Sequence, residues 1–495
     1  MKYLAAFVAA VGLSAAVGEG QLPPSPLHRA IIQDIGLPAI DRGLRAQDPP
    51  RAARERAEAQ RVVKEGVDRL PYQPGSIIVK FKNDPDDFDL LPIPMSTDPE
   101  AVAAAMQQRP DVEYAQARYR NYAMARPNDP FYASQWNFPA IDMERAWDIQ
   151  PGATSDIIVA VLDSGMAFRS ITVGYNSRFS FRITPNGPLY PALGRVEVPF
   201  AAAPELGTSE SSRFVAPRDF IWNDDLPLDL DGHGTHVAGT IGQLTNNNNG
   251  TAGMAYNVRL MPVKIIQGVW DEIFSSPFDG TDDVVARGIR YAADNGAKVI
   301  NLSIGRTVGG PAPVVVDALR YAVSRGCFIA VASGNTRDGG NQPNRLAQPA
   351  PDIAGMVAVA AVGRTLDLAY YSTTGAYVEI AAPGGDQRQG GTTAGIVQQT
   401  LDLDLLETFD RPVSQYGPPR ADAFAYHFFQ GTSMATPHVA GFAALLMQQG
   451  LTNPAAIEAA MKQFATDKGA PGRDDQFGYG LINPRATLRG LGLAR

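Results

Sequence analysis

Between residues 155 and 365, short unbroken apolar runs alternate with stretches whose apolar residues recur at helical spacing. The runs are 157–162, 259–266, 299–304, 328–332 and 357–362. Strands buried on both faces read this way, because neither face has to meet water. Between them, Val285, Ile289 and Ala292 recur at helical intervals, as do Val315, Leu319 and Ala322. Strand–helix alternation predicts an α/β fold, a mostly parallel sheet with helices on both faces. In such sheets ligands bind beyond the carboxyl ends of the strands, so chemistry is expected there.

Upstream, 71–125 has the pattern of a small α+β unit: an alternating strand from Gly75 to Phe81, an Ala-rich helix over 100–108 and a second strand from Asp111. A Pro- and Asn-containing linker follows from Arg126, and 126–495 forms the main domain. Two stretches inside it, near 167–226 and 384–428, are rich in turn residues and read as inserts. They carry none of the motifs discussed below and are expected to rim a cleft. Residues 1–18 combine Lys2, an apolar stretch and small residues, the pattern of a secretory signal peptide; the stretch is short for a membrane anchor. Residues 19–70 form a charged, Pro-interrupted leader.

Charge and cysteine count narrow the chemistry. Forty-three basic against fifty-one acidic residues give a net charge of −8, which argues against a nucleic-acid binder. Cys327 is the sole cysteine, so no intramolecular disulfide and no Cys-cluster zinc site can form. Its place in a strand pattern predicts a buried small hydrophobe.

Three segments stand out. Asp163-Ser164-Gly165 ends the first apolar run; Asp231-Gly-His233-Gly-Thr-His236-Val-Ala-Gly opens a helix; Gly431-Thr-Ser433-Met-Ala-Thr-Pro437-His438-Val-Ala-Gly opens another. Pro437 is expected to be tolerated as part of a first helical turn. A serine becomes a useful nucleophile when a base accepts its proton and an acid orients that base. The chain supplies one of each in the order Asp163, His233, Ser433. In this order and wording the sequence resembles the subtilisin-like serine peptidases over roughly 70–165 and 219–490.

The resemblance implies a secreted endopeptidase made as a zymogen. Ser433 would attack the peptide carbonyl, His233 would relay the proton, and Asp163 would fix the imidazole. Asn335 matches the oxyanion asparagine. Ser303, Ile304 and Gly305 match the segment that pairs with substrate backbone, and Ser333 and Gly334 are further substrate-binding candidates. Gly305 and Gly334 would admit a substrate side chain to the primary pocket. The 71–125 unit would be an inhibitory propeptide, cut by the enzyme itself between about 122 and 127. Polypeptide substrates, the chain's own propeptide as inhibitor and a monomer are expected, with export to periplasm or medium. No cofactor is required for the chemistry.

A structural calcium ion held by Asn246 and Asn248, in a run of four asparagines, stands beside the plain reading of a polar turn. His236 and His438 are expected to be packed, hydrogen-bonded core residues; His233 and His236 lack the further ligands a zinc site needs. Two rival functions use the same residues, an esterase and a catalytically silent peptide-binding scaffold. The intervals of 70 residues from Asp163 to His233 and 200 from His233 to Ser433 leave room for the inserts.

Overall fold

The computed structural model describes residues 72–82, 88–94, 97–119, 126–207 and 213–492. The expected signal peptide, the leader and most of the expected processing segment lie outside these residues.

The small unit is an antiparallel sheet in the order β2-β1-β3, built from β1 (Tyr72–Phe81), β2 (Asp89–Pro92) and β3 (Val112–Tyr119). Helix α1 (Pro99–Gln107) packs on β1 and β3, capped by Asp98, whose side chain accepts the Glu100 amide. Ile77, Val79, Ala103 and Val112 form its core. Sequence periodicity had indicated two strands and the helix; β2 is added. Glu100 of this unit pairs with Arg489 at 3.0 Å and accepts the Tyr119 hydroxyl at 2.7 Å.

The large unit centres on seven parallel strands in the order β12-β11-β10-β9-β4-β8-β7. These are β4 (Ile158–Asp163), β7 (Arg218–Asp219), β8 (Arg259–Lys264), β9 (Val299–Leu302), β10 (Phe328–Ala332), β11 (Met356–Val362) and β12 (Ile380–Pro383). The five apolar runs are five of these strands, and β9, β10 and β11 are buried at every position. Helices α2 (His233–Gly242) and α5 (Thr432–Gln448) pack on each other and on the sheet; α3 (Asp282–Asp294) and α4 (Pro313–Ser324) pair on the other face. Val285, Ile289 and Ala292 of α3, and Val315, Leu319 and Ala322 of α4, are all buried, as their spacing implies. Helices α6 (Pro454–Gln463) and α7 (Pro484–Gly490) complete the domain, and α7 carries Arg489.

After β4 the chain crosses to the edge strand β7 and then β8 on one side, then returns to β9 on the other. The order therefore reverses around β4. The crevice at such a reversal is where open α/β sheets place their ligands, and Asp163 is the last residue of β4.

The inserts are more regular than their turn-rich sequence implied. The first contains an antiparallel ribbon, β5 (Ile171–Ser177) with β6 (Gly194–Phe200); the second contains β13 (Ile396–Leu401), paired with β14 (Phe424–Phe429). They join each other: Ala421 donates its N–H to Pro199 at 3.0 Å, and Phe181, Tyr190 and Tyr416 cluster between them. Nor do they stay clear of the motifs, since Thr400 of β13 donates its hydroxyl to the Gly232 carbonyl at 2.5 Å, directly before His233.

Candidate active site

Each motif residue sits where a regular element starts or stops. Asp163 ends β4; His233 is the first residue of α2; Ser433 is the second residue of α5. Ser303 follows β9 and Asn335 lies just beyond β10. Because the strands are parallel, these ends gather on one side of the sheet.

Asp163 is fully buried and His233 is 1% exposed. The Nδ1 of His233 lies 2.6 Å from Asp163 Oδ1, and that oxygen also accepts the Ser164 N–H at 2.8 Å. With Nδ1 carrying the proton toward the carboxylate, Nε2 is left as the basic nitrogen, and it has no hydrogen-bond partner. Burial pulls the His233 pKa down, but the Asp163 carboxylate, with Asp231 and Asp229 behind it, outweighs burial and raises it above 6.5. Close approach of α2 to the end of β4 needs a bare residue at 234. A Cβ on Gly234 would lie 2.2 Å from the Gly165 carbonyl oxygen.

The segment before His233 is held by Asp229, which the sequence did not single out. Its carboxylate, 1% exposed, accepts the amides of Asp231 at 3.0 Å, Gly232 at 2.9 Å and Thr235 at 3.0 Å. It also accepts the hydroxyls of Ser164 at 3.0 Å and Thr235 at 2.5 Å. Ser164 in turn accepts the Gly234 amide at 3.0 Å, which ties the Asp163 strand to the His233 helix.

Ser433 is locked to β9 in two directions. Its Oγ donates to the Ser303 carbonyl at 3.0 Å, and its own carbonyl accepts the Ser303 hydroxyl at 2.8 Å. The second bond explains Pro437. That residue lies inside α5, beyond its first turn, so the expectation of first-turn tolerance is corrected. A helical residue 437 would donate to the carbonyl of residue 433. Proline has no N–H, and the Ser303 hydroxyl takes that place. The first turn of α5 is thereby pinned to the segment that follows β9.

Asn335 is held by its oxygen. Oδ1 accepts both the N–H and the hydroxyl of Thr432, each at 2.9 Å. That leaves Nδ2, a buried amide donor, with no partner beside the start of α5. Ser303, Ile304 and Gly305 follow β9, and Ser333 and Gly334 link β10 to Asn335. An unpartnered buried donor suits an oxygen that acquires negative charge.

The remaining predicted residues sort clearly. His236 is packed on Phe429 at 4.3 Å between ring centroids, with Nε2 3.0 Å from the Ile396 carbonyl, and burial lowers its pKa to about 3. His438 bridges Met434 O at 2.9 Å and Asn137 Nδ2 at 2.8 Å, with its pKa lowered to about 4 by burial. Both are core residues. Cys327 is buried, its thiol 3.0 Å from the Ala297 carbonyl and pushed up to about 11 by burial.

The calcium candidates divide. Asn248 Oδ1 is a buried oxygen without a partner; the Asn248 amide donates to Asn128 Oδ1 at 3.0 Å, and its loop wraps Asp129 through the Asn246 and Asn247 amides. The backbone amide of Asn246 donates to Asp129 Oδ2 at 3.0 Å. Burial lifts the carboxyls of Asp129 and Glu205 to about 7. Glu205 accepts from Gln243, Thr251, Gln399 and Tyr426. Asn248 Oδ1 is a hard oxygen donor of the kind that suits calcium. Among the described residues, no group of three or more His, Cys, Asp or Glu is arranged around a metal position.

A reversed parallel sheet with an Asp-His pair and a helix-borne serine at its carboxyl edge defines a serine peptidase of the α/β type. The sequence profile of the subtilase family matches residues 154–480. A thermophilic serine proteinase of Bacillus sp. (strain AK1) is 32% identical over 385 residues, covering 78% of this chain and 74% of that protein. An extracellular protease of Xanthomonas campestris is 29% identical, covering 79% of this chain and 61% of that protein. A solved protease structure from Pseudoalteromonas arctica superposes with a TM-score of 0.54 at 26% identity, covering 74% of this chain and 99% of that one. The chain belongs to the subtilase family, and its activity is that of a serine peptidase acting on polypeptides. Catalysis in this family needs no cofactor.

Proposed function

We propose that this chain is an exported endopeptidase precursor whose mature form hydrolyses internal peptide bonds through Asp163, His233 and Ser433. The observation that carries the assignment is His233, held at Nδ1 by Asp163 while Nε2 stands unpartnered. The mechanism requires the Ser433 hydroxyl to leave the Ser303 carbonyl and turn toward Nε2. The imidazole accepts the proton as Oγ attacks the substrate carbonyl. Asn335 Nδ2 donates to the resulting oxyanion, assisted by the N-terminal end of α5, where the helix dipole favours negative charge. The same imidazole protonates the leaving amine, and water then releases the acyl group by the reverse sequence. Ser303 to Gly305, with Ser333 and Gly334 opposite, would hold the substrate backbone by strand addition.

Export is supported by the apolar amino-terminal stretch and by the relative described as extracellular. The separate α+β unit ahead of the linker supports a precursor in which that unit inhibits the enzyme until it is cut away. A calcium ion at Asn248 would stiffen the loop after α2 and take no part in the chemistry.

Two experiments test this reading. A fluorophosphonate probe should label the wild-type enzyme at Ser433 and leave Ser433→Ala unlabelled; labelling of the variant refutes the nucleophile. The same variant should remain full length between 122 and 127 where wild type is shortened; equal shortening refutes self-processing.

A further inference from the structure

The structure assigns the floor of the primary pocket to Asn344, a residue outside every motif above, and we infer that this enzyme cleaves after small side chains. The inference rests on the cleft reading just given, in which Gly305 and Gly334 flank the entering side chain.

Asn344 lies against both glycines. A Cβ placed on Gly305 would sit 2.3 Å from Asn344 Nδ2 and 2.4 Å from its Cγ; one on Gly334 would sit 3.5 Å from Asn344 Cβ. The side chain thus fills the space that the missing side chain of Gly305 leaves. It is 2% exposed and fully hydrogen-bonded. Nδ2 donates to the Ile304 carbonyl at 3.0 Å on one wall and to the Ala332 carbonyl at 2.6 Å on the other. Oδ1 accepts the amides of Arg306 at 3.2 Å and Leu346 at 3.1 Å.

Two consequences follow from those four bonds. The amide cannot swing aside for a large side chain without stranding two carbonyls and two N–H groups. It also has no donor or acceptor left for a charged or polar substrate tip. With the amide fixed against both glycines, the pocket of this reading takes a side chain of one or two heavy atoms, such as Ala or Ser. Phe, Leu and Lys would have to displace the floor. One methylene that a pocket can or cannot hold changes kcat/KM about 10–200-fold, so several should change it by more than about 100-fold.

The test uses enzyme produced from the full-length chain and five peptide p-nitroanilides that differ only before the scissile bond: Ala, Ser, Leu, Phe and Lys. Ser433→Ala is the control that ties turnover to this cleft. Wild type should turn over Ala and Ser at least about 100-fold faster, in kcat/KM, than Phe or Lys. Asn344→Ala should bring Phe to within about 10-fold of Ala. Should that variant not fold, Asn344→Ser keeps a hydrogen-bonding group and should shift the ratio the same way, and the wild-type order is decisive by itself. A purely structural role would lower all five rates together and leave their ratios alone, which would overturn the inference. So would wild-type preference for Phe, Leu or Lys. Absence of any Ser433-dependent turnover would instead overturn the triad reading, and the pocket with it.

Discussion

Buried Asp229 acts only through the groups it holds. Asp229→Ala removes the acceptor of three backbone amides, those of Asp231, Gly232 and Thr235. A buried donor left without a partner costs about 1–3 kcal/mol, giving about 3–9 kcal/mol for three. The hydroxyls of Ser164 and Thr235 can turn elsewhere, and water can enter the vacated space, so the lower half of that range, about 3–6 kcal/mol, is expected. Against a total stability of about 5–15 kcal/mol this is severe. Asp229→Asn keeps one oxygen and the shape, and should cost about 1–3 kcal/mol by setting an amide N–H against another N–H. Its effect on rate should exceed its effect on folding, since a displacement of His233 by about 1 Å is enough for a 10²-fold loss. The assay is scanning calorimetry at fixed scan rate, with kcat/KM expressed per site labelled by a fluorophosphonate. The expected order in stability is wild type, then Asn, then Ala. An Ala variant that unfolds with wild type and keeps its kcat/KM refutes the reasoning.

Other expectations are shorter. His233 must be neutral to act as base, and its pKa is raised, so kcat/KM should fall as pH drops through a value above 6.5. Asp163→Asn removes the main cause of the rise; the acid limb should move down in a pH–rate profile, and kcat should drop by about 10⁴, the loss known for this change in the chymotrypsin triad. An unmoved limb contradicts the pairing. Asn335→Ala should lower kcat with little change in KM, by about 10²–10³, a figure carried over from the corresponding donor of subtilisin; a pure KM effect would make it a binding residue. Chelation of calcium should speed thermal inactivation of wild type, and Asn248→Ala should blunt that response; no effect of chelator on wild type removes the calcium reading.

What could be read from the sequence was whatever repeats or clusters locally. The parallel strands announced themselves because burial on both faces forces continuous apolar runs such as 357–362. The catalytic candidates announced themselves because they lie in stretches of several unusual residues at helix starts. The ribbon β5–β6 was legible but passed over. Val196, Val198 and Phe200 are buried and alternate with exposed Arg195 and Glu197, a period of two interrupted by turn-rich flanks. Strand β13 could not be read this way, since Gln398, Gln399 and Thr400 are buried polar residues satisfied only by distant partners.

Asp229, Glu205 and Asn344 share that property and mark the limit more sharply. Each is a single polar residue in an irregular stretch, and each owes its role to donors or carbonyls contributed by other parts of the fold. A motif records groups that must be near each other along the chain; these residues record groups that are near only after folding. In the proposed mechanism the serine, histidine and aspartate supply the chemistry of attack, and a short pattern suffices to encode them. How deep the pocket is, and how firmly the histidine is held, depend on side chains that gather bonds from several segments at once. Relatives with the same triad can therefore differ in what they cut without any change in the motifs, and in this chain the place to look for that difference is the four-bonded amide of Asn344.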